Sequence, residues 1–395
     1  MSRLISMRKV YNTLIFSGLF ASIFALLRYP AQSIQAASEG LTLSLNVIIP
    51  SLFPFFVLST LLIHLGVAKA FGGVFEHIMQ PLFRVPGVSA SAFILGFIGG
   101  YPIGAKTAIG LYEDGQISKV EAERLLAFSN NSGPAFILGV VGVGIFASSR
   151  IGLMLYLAHA IASIFVGILF RFWAYNKPSE RKKTRSKRDA PLSFSQAFIK
   201  SVTTSFASTL NICAFIIFFT VIIRLLFLAG AIPAVAGFLG IFLAGFGFDA
   251  YWASAFLTGF IELSSGVWSL RSLAGQLSHS IAMAAFMLGW AGLSVHCQVL
   301  SFIGNSGLSV RSYILGKTLH GAFSAVLVFV MVHMFPFEIP VSSTLAQGVS
   351  AIVGMDFSST LLISSTTAFL VFLFILAICL FSTKKPSQVG KKVLK

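Results

Sequence analysis

The sequence predicts an all-α polytopic membrane protein. It is read as two inverted-topology repeats, each with a re-entrant helical hairpin followed by a broken helix. Three observations lead there. Of 395 residues, 56% are hydrophobic and only 10% charged, where soluble domains carry roughly 25%. Apolar runs close to the ~20 residues needed to cross a bilayer recur along the chain. Two passages also repeat at nearly constant offset: "LNVIIPSLFPFFVLSTLL" from Leu45 returns as "LNICAFIIFFTVIIRLL" from Leu210, 165 residues on, and "GFIGG" at Gly96 returns as "GFIEL" at Gly259, 163 residues on.

The net charge of +16 is gathered largely in three places. These are the N-terminus (Arg3, Arg8, Lys9), the stretch "RFWAYNKPSERKKTRSKRDAP" from Arg171 to Pro191, and the tail (Lys384, Lys385, Lys391, Lys392, Lys395). Lys and Arg beside spanning segments stay on the cytoplasmic side, so both termini and the central stretch are expected on the cytoplasmic side of the bacterial cell membrane. The central run lacks interleaved stacking aromatics, so no nucleic-acid partner is expected; anionic lipid headgroups suit it better. The first apolar run, Leu14 to Leu27, follows Arg8-Lys9 as a signal peptide would, but no clear A-x-A site follows and a retained helix is expected.

Spanning candidates are 14–28, 41–66, 133–148, 150–173, 209–230, 279–303, 311–334 and 358–382. They divide the chain into a first helix and linker (1–40), a first repeat (41–174), a basic cytoplasmic linker (175–195), a second repeat (196–334), a last helix (335–383) and a basic tail (384–395). With both termini inside and one helix crossing at each end, the first repeat begins outside and the second begins inside. Their orientations are opposite, an arrangement common in secondary transporters.

Crossing parity then bears on "GFIGGYPIGAKTAIG", Gly96 to Gly110. The first repeat needs an odd number of crossings, and 41–66, 133–148 and 150–173 supply three. With 69–87 along the interface, 88–115 must leave on the side it entered. Val88 to Gly99 forms an arm of ~12 residues, about 18 Å long, ending at a Gly99-Gly100-Tyr101-Pro102 tip. A kinked crossing helix with glycines for close packing is the alternative. The arm after Pro102 would aim free N–H groups at a cavity, which suits an anionic or hydroxyl-bearing group. In the second repeat, Tyr251 to Gly275 repeats the design with a break at "ELSSG". Glu262 is there either an intramembrane functional carboxylate or one half of an ion pair with Lys106 or Arg271.

Two interrupted helices follow the hairpins. "FSNNSGPAF" sets Asn130, Asn131 and Ser132 before Gly133-Pro134, where they either line a break or cap the next helix. "GWAGLSVHCQ" places Ser294, His296 and Gln298 in an apolar run; His296 is equally a packing residue or a ligand contact. "SKVEAERLLAFS" opens as a capping box on Ser118 and Glu121, with Glu121, Glu123 and Arg124 expected as solvated surface. The seven His and three Cys form no metal-ligand or CxxC spacing. No local pattern assembles a nucleophile with a base, so no enzyme and no metal site are expected. The glycines of "GVVGVGIF" are read as helix packing.

On the passages "IIPSLFPFFVLSTLL", "GFIGGYPIGAKTA", "EAERLLAFSNNSGPAFILG", "GLSVHCQVL" and "KTLHGAFSA", the chain resembles sporulation integral membrane proteins of the YlbJ type. That family looks like a member of the nucleoside-recognition "Gate" superfamily and is similar in architecture to concentrative nucleoside transporters. The resemblance implies a spore-forming bacterium, a role in spore cortex formation, and a membrane of the mother cell or around the forespore. The tip GGYPIGAK departs from the acidic tip of nucleoside carriers, and its Lys106 suits an anionic solute.

The function expected is thus secondary transport of a small solute, anionic or nucleoside-like. Tyr101, Lys106, Asn130, Asn131, Glu262, Ser264, Ser294 and Gln298 would form the binding site. Lys106 would take the solute's negative charge and Glu262 a coupling proton or sodium ion, with no other cofactor. The partners are the lipid bilayer and the solute; a homo-oligomer is compatible with the reading. The rival reading is a non-transporting scaffold for cortex-assembly proteins, acting through the basic linker and tail.

Overall fold

A computed structural model of the chain describes residues 2–65, 72–175, 193–271, 277–304, 306–334 and 366. The described residues are helical, with no strand among them. Helix α1 (Ser2–Arg28) leads into α2 (Pro30–Leu43), a π-helical turn (Ser44–Ile48) and α3 (Ile49–His64). Then come α4 (Gly72–Phe83), α5 (Ala90–Gly99), α6 (Ile103–Glu113), α7 (Lys119–Ser129), a π-helix (Ala135–Ile145) and α8 (Ser149–Phe170). The remainder is α9 (Phe194–Leu228), α10 (Ala231–Leu243), α11 (Ala250–Ile261), α12 (Leu263–Ser269), α13 (Leu277–Trp290), α14 (Gly292–Ile303) and α15 (Val310–Met334).

Each element from α2 to α8 has a counterpart about 160 residues later. The unit α2–π–α3 runs 35 residues without interruption, and α9, its counterpart, is also 35 residues long. The 209–230 run is therefore the C-terminal part of a longer helix. Its start is fixed by a capping box in which Ser193 accepts from the Gln196 amide and Gln196 returns the bond. α9 packs along both α2 and α3.

Among the described residues, four helices are long and apolar enough to cross a membrane: α8, α9, α13 with α14 taken together, and α15. The protein is a multi-pass membrane protein. α8, α13 and α15 pack on one another at its centre, and large apolar side chains such as Phe165, Phe218, Phe238 and Ile241 face outwards, as a lipid-facing surface requires. Phe75–Phe83 meets Gly87–Gly99 at 92°, so these segments are not one straight span. The 88–115 region folds back on itself: α5 packs on α6 across a turn at Gly100-Tyr101-Pro102. The core of the basic linker (176–192) and nearly all of the last predicted helix lie outside the described residues.

Candidate functional site

The hairpins form because glycines let backbone meet backbone. The Gly104 Cα stands 3.3 Å from where a methyl on Gly96 would lie, and a methyl on either glycine would collide with the Ser129 carbonyl. In the second hairpin, Gly259 and Gly266 make the equivalent contact, with Met287 beside them. The tips also match. Gly100 (φ +72°) abuts the backbone of Gly133 in the first broken helix, and Gly292 (φ +78°) abuts Leu263 at the second tip. Positive φ is cheap only for glycine, so the sequence marks both junctions. Each tip therefore plugs the break that follows it.

Between the two tips lies a small cavity with about 50 Å³ of space for a water-sized molecule. Tyr101, Glu262, Ser264, Ser294 and Gln298 line it, together with Ser132. Ile48, Leu52, Ile212 and Ile216 form an apolar wall from the π-turn, α3 and α9. Glu262 is 2% exposed. It holds an extended conformation between α11 and α12, and its carboxylate accepts from the amides of Ser264 (3.0 Å) and Ser265 (2.7 Å). Those amides, rather than Lys106 or Arg271, hold its oxygens; Arg271 stacks on Trp268.

Asn130 and Asn131 lie behind this cavity. The Asn130 amide donates to the Tyr313 hydroxyl (3.3 Å) and the Asn131 amide to the Phe128 carbonyl (2.9 Å). The side-chain oxygens of Asn130, Asn131 and Gln298 are buried without a donor.

Lys106 is not brought to Glu262. It lines a separate cavity of about 300 Å³ on the other flank of the first hairpin, with His64, Thr107, Asp114, Ser205 and Asn211. The reason is helical geometry. Tyr101 is at the tip, but Lys106 lies in the first turns of α6 and faces α3 and α9. Its ammonium is 6.0 Å from the Phe302 ring.

The buried lysine near the tips is Lys317 on α15, which is 0% exposed. Its ammonium donates to the Asn130 carbonyl (2.9 Å) and the Tyr101 hydroxyl (3.5 Å), with His320 Nδ1 at 3.3 Å, and it lies 5.0 Å from the Tyr101 ring centre. His320 Nε2 meets the His159 carbonyl (2.9 Å), and the His159 ring stacks on His320 while its Nε2 accepts from the Ser132 amide (3.1 Å). His296 bonds Tyr313 (2.9 Å). The Tyr101 hydroxyl also donates to the Leu288 carbonyl. Sequence reading passed over this network, although Lys317 and His320 stand one helical turn apart inside an apolar run, a placement that marks function in membranes.

A second correction concerns α7. Ser118 and Glu121 do form the capping box, but Glu121, Glu123 and Arg124 are each only 7% exposed rather than solvated. Arg124 donates to the carbonyls of Trp173 and Arg84, and Glu123 accepts from the Trp173 indole (3.0 Å) and the Ser309 amide (3.1 Å). These partners come from distant loops, which periodicity within one helix does not report.

A family model described as "Gate: Nucleoside recognition" matches residues 45–170. The chain is 32% identical over 339 residues to the "Sporulation integral membrane protein YlbJ" of Bacillus subtilis (strain 168), covering 81% of this chain and 83% of that protein. Among solved structures, a variant of CNTnw in the intermediate 3 state aligns over 84% of this chain and 87% of its own, at 14% identity and a TM-score of 0.49. A CNTnw variant in an outward-facing state aligns over 82% and 86%, at 12% identity and a TM-score of 0.48.

Proposed function

This chain belongs to the family of YlbJ-type sporulation integral membrane proteins, and from that premise we propose that it is a secondary transporter of the bacterial cell membrane. Its cargo is a small hydroxyl-bearing solute, anionic or nucleoside-like, and its role lies in spore cortex formation. The observation that carries this reading is the cavity between the two hairpin tips, where Tyr101, Glu262, Ser264, Ser294 and Gln298 converge from both halves of the chain. Broken helices that meet at mid-depth build the solute site in many secondary transporters. The matching order of elements about 160 residues apart supports the inverted-repeat reading.

The polar lining includes two acceptor groups, the Glu262 carboxylate and the Gln298 amide oxygen, which lacks a donor. They favour a solute that brings O–H or N–H donors. At about 50 Å³ the space is too small for a sugar or nucleoside, so loading requires the tips to part. Lys106, in the larger neighbouring cavity, offers a positive approach for an anionic solute.

The test is counterflow in vesicles containing the full chain, with hydroxylated carboxylates, organic phosphates and nucleosides. One class is expected to exchange, and Glu262→Gln to abolish it. No exchange of any class, or exchange indifferent to Glu262→Gln, rejects transport and returns the scaffold reading.

A further inference from the structure

In membrane proteins with interrupted helices, the carbonyl end of a half-helix is where a coupling cation binds. Here that end belongs to α7, and three successive carbonyls at it have named neighbours. Phe128 O accepts from Ser163 Oγ (2.7 Å) and from the Asn131 amide, Ser129 O faces the hairpin glycines, and Asn130 O accepts from Lys317.

The hydrogen-bond geometry around Lys317 accommodates an ammonium. His320 meets the His159 carbonyl through Nε2, which must therefore carry a proton, so in the neutral ring Nδ1 is an acceptor. The Tyr101 hydroxyl spends its proton on the Leu288 carbonyl, so its oxygen accepts. Asn130 O can only accept. Three acceptors, at 2.9, 3.3 and 3.5 Å, thus face one nitrogen, a number that suits the three N–H groups of an ammonium. No carboxylate is among these neighbours.

We propose that Lys317 is a tethered cation: its ammonium occupies the carbonyl end of the broken helix, where a free sodium ion would otherwise bind, and it makes the joint between the first hairpin tip and that helix independent of sodium. The inference deepens the transport reading by naming what stands in for the coupling ion, and its test requires no solute.

Hydrogen exchange would be followed on the full chain in lipid nanodiscs, in sodium chloride and in choline chloride at equal ionic strength, over peptides covering 96–104 and 128–134. In the wild type both salts are expected to give the same exchange. Lys317→Ala vacates the cation position; exchange in both peptides should rise roughly ten-fold in choline and fall again in sodium. Lys317→Met fills the space without charge and should stay fast in both salts, while Lys317→Arg should behave as wild type. Sodium protection of the wild type would overturn the proposal, as would wild-type exchange in Lys317→Ala or loosening that no sodium reverses. Were Lys317→Ala to fail to fold, the Met and Arg variants decide, because equal exchange in those two also overturns it. Absence of solute flux leaves this outcome untouched, and failure here leaves the transport reading standing.

Discussion

Gly104 stands so close to the Ser129 carbonyl that a methyl group at that position would overlap the oxygen. Hairpin and broken helix are therefore in backbone contact, with no side chain to yield. Gly104→Ala is expected to lower stability by about 3 kcal/mol, at the upper end of overpacking costs. Gly110, on the same helix, has nothing within 4 Å of its Cβ position, and Gly110→Ala should be neutral or stabilising by up to ~1 kcal/mol. Thermal unfolding of the two variants in one detergent distinguishes a contact effect from a general intolerance of helix α6.

Glu262 caps α12 with both carboxylate oxygens. Glu262→Gln leaves one oxygen for two amides and turns an NH2 group towards a donor. A loss of roughly 1–3 kcal/mol is expected, visible as a lower unfolding temperature together with the loss of counterflow. Glu262→Ala should cost more, because both amides are then orphaned.

Arg124 ties α7 to the backbone at Arg84 and Trp173. Arg124→Met preserves much of the packing and removes every one of those bonds. Destabilisation of roughly 2–4 kcal/mol is expected, with faster proteolysis near 84 and 173 as its local signature.

Lys106→Gln should leave unfolding within about 0.5 kcal/mol of wild type, since the side chain is exposed to its cavity. If Lys106 attracts an anionic solute, KM should rise about ten-fold with kcat unchanged, the pattern of lost uniform binding. Equal kinetics for wild type and Lys106→Gln would remove Lys106 from the solute path.

Much of this arrangement was legible in the sequence because breaks are local events. Gly100, Pro102, Glu262 and Gly292 interrupt apolar runs, and an interruption shows wherever it falls. Which side chains then share a cavity depends on helix rotation and on partners far along the chain. Lys106 lies five residues from Tyr101 and faces another cavity. Glu123 and Arg124 look like surface charges until Trp173, Arg84 and Ser309 enclose them. Lys317 reaches Asn130 across 187 residues, and no window within either helix contains that contact.

The Lys317 bonds also have a consequence in terms of effective concentration. A free ion fills its position as a fraction set by its concentration against its dissociation constant, and dilution empties it. A charge on a side chain arrives at its acceptors by an intramolecular step, at an effective concentration fixed by the length and stiffness of its tether. Neither dilution nor a change of surrounding salt alters that number. The joint between hairpin and helix would then hold its charge through any shift in cellular sodium, and only substitution of the residue itself would remove it.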